Sequence, residues 1–200
     1  MTMLAALHSG AACHCETLEG ARYASLFGQL IRPEALCSET LAGVRTLLVP
    51  CRTHPTRLVP HRDLLRGFVE DGGHLVAMGE TCHDQWLDDV VYHPVPTNFW
   101  WWLTPGADLG VRIEAPAHPL LAGLTKADVT WHLHGWFGPR PEAEVLVADA
   151  EARAILTVEQ RGKGRLILTS LDPTYHHGSH FMPATTRFLD RFLPNLVDWT

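Results

Sequence analysis

The sequence predicts an α/β fold around a mostly parallel sheet that ends in an antiparallel hairpin near the C-terminus, and three observations carry this expectation. Residues 44–79 read as strand, helix, Gly-Gly and strand, the crossover unit of a parallel sheet. Two late apolar runs, 153–158 and 165–170, are joined by Arg161-Gly162-Lys163-Gly164, whose glycines suit a hairpin turn. Reactive polar side chains also fall just past the apolar runs, where α/β sheets gather their ligands.

In chain order, the apolar residues 3–8 predict a first strand, followed by Ser9, Gly10 and a helix over about 16–30. Residues 44–50, Val-Arg-Thr-Leu-Leu-Val-Pro, predict a buried strand closed by a proline that cannot pair. From Pro60, Leu64, Leu65, Phe68 and Val69 recur at helical spacing opposite Arg62, Asp63, Arg66 and Glu70. Gly72-Gly73 then stops the helix, and Leu75-Val76-Ala77-Met78 returns as a strand.

Residues 84–128 carry five prolines, the run Trp100-Trp101-Trp102 and one strand candidate at 109–114, so this stretch reads as an irregular insertion. Strands follow at 129–134, 144–149, 153–158 and 165–170. A helix over about 184–193 ends the fold. With 200 residues, 46% of them hydrophobic, one domain over 1–200 is expected.

Sixteen Lys and Arg against 22 Asp and Glu give a net charge of -6 with no basic run, which argues against nucleic acid or an acidic membrane as partner. A small-molecule ligand is expected instead. No stretch approaches the ~18 apolar residues of a membrane span, and the first residues lack the pattern of a secretory signal, so the cytoplasm is the expected compartment. Five cysteines, an odd and scattered set, predict free thiols. No motif implies a cofactor.

The polar residues past the strands are His8 after the first, Cys51 and His54 after the second, and Glu80, Cys82 and His83 after the third. Asp172, Tyr175, His176, His177 and His180 follow the last. Thirteen histidines in this length put some near strand ends by chance. The pooled pattern, rather than any one residue, carries the expectation of a site.

Four blocks in order carry a resemblance: Leu47-Leu48-Val49-Pro50; Phe68-Val69-Glu70-Asp71-Gly72-Gly73-His74-Leu75-Val76-Ala77-Met78-Gly79; Ala117-His118-Pro119-Leu120-Leu121-Ala122-Gly123-Leu124; and Gly162-Lys163-Gly164-Arg165-Leu166-Ile167-Leu168-Thr169-Ser170. Over roughly residues 3–195 the chain resembles the class I glutamine amidotransferase-like superfamily, nearest its ThuA-like and β-galactosidase companion-domain branches. The resemblance implies a flavodoxin-like three-layer sandwich. It also implies a cysteine nucleophile on the turn after the Gly-Gly strand, with a histidine and a glutamate after the last strand. This sequence has Met78 and Gly79 at the nucleophile position and Leu171-Asp172-Pro173 after the last strand, so the standard glutaminase apparatus is not expected.

A displaced catalytic set of Cys82 and His176, with Glu80 or Asp172 orienting the histidine, is the sharpest enzymatic expectation, as a hydrolase or isomerase. Ligand contacts are expected from His8, His54, His83, Trp101, His134, Trp136, Tyr175 and His177, with a carbohydrate-related molecule among the candidates. Trp100, Trp101, Trp102, Trp131 and Trp136 lie near His132, His134 and Asn98, and their flat faces suit sugar rings or other apolar-faced ligands. Two alternatives stand beside this. The tryptophan-rich surface could serve a non-catalytic assembly module or a homo-oligomer contact. Strand-end histidines, with His176, His177 and His180 at their head, could hold a metal.

Overall fold

The computed structural model describes residues 3–97 and 99–199, which leaves Asn98 outside the described residues. Ten strands form one sheet: β1 Met3–Leu7, β2 Gln29–Ile31, β3 Val44–Val49, β4 His74–Met78, β5 Val91–Pro94, β6 Arg112–Ile113, β7 Gly135–Gly138, β8 Glu144–Ala148, β9 Ala154–Arg161 and β10 Gly164–Thr169. The α-helices are α1 Ala12–His14, α2 Ser38–Leu41, α3 Arg62–Glu70, α4 Pro173–Gly178 and α5 Pro183–Trp199.

Five neighbouring strands, in the order β2-β1-β3-β4-β10, are mutually parallel, and the sheet continues through antiparallel β9. The order is that of a flavodoxin-like sheet. The expected hairpin is β9–β10, paired from Arg161–Gly164 to Leu156–Thr169, so its turn is the two residues Gly162-Lys163.

Side-chain alternation explains why the core is split by the sheet. Leu4, Ala6, Leu48, Val76, Met78 and Ile167 point to the face covered by Phe188, Leu189, Phe192, Leu193 and Leu196 of α5. Their neighbours Ala5, Leu7, Leu47, Val49, Leu75, Ala77, Leu166 and Leu168 point to the opposite face, covered by Leu65 and Val69 of α3 and by Trp86. A strand buried on both faces reads as a continuous apolar run. Those runs are what made β1, β3, β4 and β10 recognisable.

Several local expectations are corrected. In place of the helix over 16–30, the chain makes α1, a π turn at Cys15–Glu19, a 3-10 turn at Ala24–Leu26 and then β2. Main-chain pairing of Ala5 with Gln29 and Leu7 with Ile31 extends the sheet, and tertiary pairing overrides local helix preference there. The strand expected at 129–134 is irregular, and β7 begins only at Gly135. Within the insertion the strand at 109–114 shrinks to the two residues of β6, while β5 pairs antiparallel with β7. The last helix is longer than expected, with Pro194 inside it. No helix among the described residues is long and apolar enough to cross a membrane.

Candidate metal centre beside an aromatic cavity

Because β1, β3, β4 and β10 run parallel, the chain leaves all four at the same edge of the sheet. Four buried side chains converge there: His132, His134, Asp172 and His176, each offering one ligand atom, with all four atoms within 4.8 Å of one another. Asp172 precedes Pro173, the first residue of α4, and His176 follows one turn later on the same side, so its Nε2 comes within 3.1 Å of Asp172 Oδ2. His132 and His134 arrive from the segment before β7. That segment is held by β5 and its continuation, through Val95 N–H donating to His134 O (3.0 Å) and Thr97 Oγ1 donating to Leu133 O (3.2 Å).

The contacts are short and crowded. His134 Nε2 lies 3.1 Å from the same Asp172 Oδ2, and His132 Nε2 lies 2.9 Å from His176 Nε2. Two imidazole nitrogens therefore crowd one carboxylate oxygen, and one of them, on His176, also faces His132. Asp172 Oδ1 turns the other way and accepts from Trp131 Nε1–H at 3.0 Å. His134 Nδ1 lies 3.0 Å from Glu80 Oε1, and Glu80 Oε2 lies 3.3 Å from Arg52 Nη1. His176 Nδ1 is buried without a hydrogen-bond partner.

Electrostatics follow from burial set against pairing. Burial opposes the charge on Asp172, but hydrogen bonds from His134 and His176, with their charges, outweigh it and hold the carboxyl far below the usual range. Burial also opposes charge on His134, yet the hydrogen bond and charge of Asp172, with Glu80, raise it. His132 is pushed down to about 4, mainly by burial, against the pull of Asp172. The carboxylate is thus ionised and His132 neutral, the forms that bind a metal ion, whereas His134, raised by its carboxylate neighbours, would have to release a proton to do so.

A cavity of about 630 Å³ opens against this cluster, lined by Arg52, Phe99, Trp100, Trp101, Trp102, Trp131, Tyr175 and Phe181 together with His132 and His176. Phe99 stands edge-on to His132 at 4.8 Å and Phe181 to His176 at 4.7 Å between ring centres. A second cavity, about 290 Å³, lies between α3 and β10 and is lined by Leu65, Trp86 and Leu166 with Arg62, Arg66 and Arg161. It contains none of the four clustered ligands.

Of the residues singled out from sequence, Glu80, His134, Asp172 and His176 are brought together, and Trp101 and Tyr175 line the cavity. The others lie elsewhere. His8 Nε2 is 3.4 Å from Glu19 Oε1, and exposed His54 pairs with Thr56. His83 is packed among Trp86, Tyr92 and Phe137, His177 bonds Thr186, and Trp136 stacks on His93. The triplet His176, His177 and His180 does not converge, since exposed His180 turns toward Glu16.

Cys82 is not among the partners of His176, whose ring meets His132 and Asp172 instead. Burial, with Asp84 and Glu80, pushes the Cys82 thiol up, opposite to what a nucleophile needs. Sequence reasoning left His132 as a neighbour of the tryptophans and missed Arg52. The signal for His132 was its i, i+2 spacing to His134, which puts both on one side of an extended chain.

No family model matches the sequence, and no curated protein matches it. Among solved structures, a cytoplasmic protein of Salmonella typhimurium aligns over 100% of this chain and 98% of its own, at 11% identity and TM-score 0.62. A Thermoplasma acidophilum protein assigned to GMP synthase aligns over 100% and 96%, at 11% identity and TM-score 0.60. A ThuA-like protein of Bacteroides uniformis aligns over 96% and 89%, at 14% identity and TM-score 0.55. The chain has the class I glutamine amidotransferase-like fold, the flavodoxin-like sandwich that its sequence blocks implied.

Proposed function

We propose that this protein is a metal-dependent small-molecule hydrolase, with one divalent transition-metal ion held by His132, His134, Asp172 and His176. The observation that carries this reading is the size of the quartet. Bonds of about 2.0–2.1 Å to a tetrahedral zinc ion place ligand atoms about 3.3–3.4 Å apart. Three of the six ligand-to-ligand separations, 2.9, 3.1 and 3.1 Å, are close to such an edge, and all four ligand atoms lie within 4.8 Å of one another.

The surroundings fit the same reading. A carboxylate on the far nitrogen of a ligating histidine fixes its orientation, and Glu80 stands in that place on His134. Trp131 fixes Asp172 through its second oxygen, which favours one-oxygen ligation. His132 and His176 both border the cavity, so an ion on the four residues would take a substrate or water there only by expanding to a fifth ligand on that side.

A bound divalent ion polarises a carbonyl or lowers the pKa of water. The chain's own part would be to hold the substrate's flat or apolar face against Phe99, Trp101 and Phe181, and to shield the centre from bulk water. Sugar esters are natural first substrates, because aromatic faces suit sugar rings and the ester supplies the bond to be hydrolysed.

The test is metal analysis and cobalt titration of the purified chain. About one equivalent with a tetrahedral cobalt spectrum is expected, lost in His176→Ala and Asp172→Asn. A well-folded chain that takes up no metal would sink the reading.

A further inference from the structure

We infer that the aromatic cavity is built for a small carboxylate, with Arg52 as the group that holds its anionic end. This rests on the proposed small-molecule site and names the class of molecule that fills it. Arg52 is the sole Lys or Arg among the described residues lining the cavity, whose walls are otherwise mostly aromatic and apolar.

The guanidinium is held over an aromatic ring. Its Cζ lies 4.2 Å from the centre of the Tyr175 ring, a cation–π contact that limits where the fork can go. Tyr175 is in turn fixed, because its backbone N–H donates to Cys51 Sγ, in the residue next to Arg52, at 3.1 Å. The ion pair with Glu80 engages Nη1, at 3.3 Å. Arg52 adopts φ of 69°, a left-handed conformation uncommon for a residue with a β-carbon, between buried Cys51 and Thr53.

A planar fork whose remaining edge has no partner among the described residues, beside a mostly apolar cavity, matches a carboxylate, which it can bind with two parallel hydrogen bonds. The overall charge of -6 repels anions, so any preference for one must be local. Phe99, Trp101 and Phe181 supply the surface for a flat body attached to that carboxylate.

The experiment compares 3-phenylpropionate with 3-phenylpropionamide by calorimetry, on metal-loaded and metal-stripped protein. The acid is expected to bind at least about tenfold more tightly than the amide, the value of a charged hydrogen bond. Arg52→Met should abolish the preference and Arg52→Lys should keep part of it, with unchanged melting temperatures. Equal binding of acid and amide, or no binding of either at millimolar concentration, overturns the inference. So does a preference that survives Arg52→Met. An Arg52-dependent preference in metal-stripped protein upholds it even if the metal reading fails.

Discussion

Asp172 Oδ2 and His176 Nε2 lie 3.1 Å apart across the first turn of α4, and the other oxygen of Asp172 is tied to Trp131. One carboxylate thus joins the helix after β10 to the segment before β7. Two elements distant in sequence are locked at one point, which makes the site sensitive to substitutions outside it.

Trp131→Phe tests that lock. The change keeps the aromatic bulk but leaves buried Asp172 Oδ1 without its donor, which costs about 1–3 kcal/mol for an unsatisfied buried group. The expected outcome is a lower denaturation midpoint together with weaker metal binding, read by urea titration and by cobalt titration.

Glu80→Gln removes the carboxylate behind His134 without touching the four ligands. Loss of such an orienting partner lowers metal affinity about 10–100-fold. Competition with a chelator of known affinity measures it, and an unchanged affinity would deny Glu80 its positioning role.

Gly79→Ala should damage the site from below. Gly79 has φ of 64°, and a β-carbon there would approach Cys51 Cβ to 2.5 Å and Asp172 Cβ to 2.7 Å. Such a substitution at positive φ destabilises by more than about 1 kcal/mol, and it should also displace Asp172. Thermal unfolding and metal stoichiometry should fall together.

Acid should destabilise the fold through its buried histidines. Burial pushes His83 down to about 3 and His74 to about 4, from about 6.5 when unfolded. Between these values the unfolded chain binds more protons, so stability is complete above about pH 6.5 and falls as the pH drops toward 3. His83→Phe should flatten part of that slope in denaturation measured across this range.

Cys82 should alkylate slowly at neutral pH, with a midpoint above that of a free thiol, because burial and the charges of Asp84 and Glu80 disfavour its thiolate. Cys82→Ser should leave metal binding intact. Fast labelling below pH 8 would restore the thiol as a candidate nucleophile.

The parallel core was legible because both faces of β1, β3, β4 and β10 are buried, and such strands must be apolar throughout. Their parallel direction then brought Glu80, Asp172 and His176 to one edge, as the residues after each run implied. Less legible was β2, whose three residues are fixed by main-chain pairing to β1 rather than by any pattern of their own.

Sequence alone thus determined the layered sheet and the edge on which polar chemistry collects, since apolar periodicity and strand direction are local consequences of burial. Only tertiary structure decided that His132, His134, Asp172 and His176 form the cluster while His8, His54, His83 and His177 do not. The pairing of β5 with β7 carries the irregular segment before β7 onto the end of β10, and such non-local pairing leaves no periodic mark on the chain.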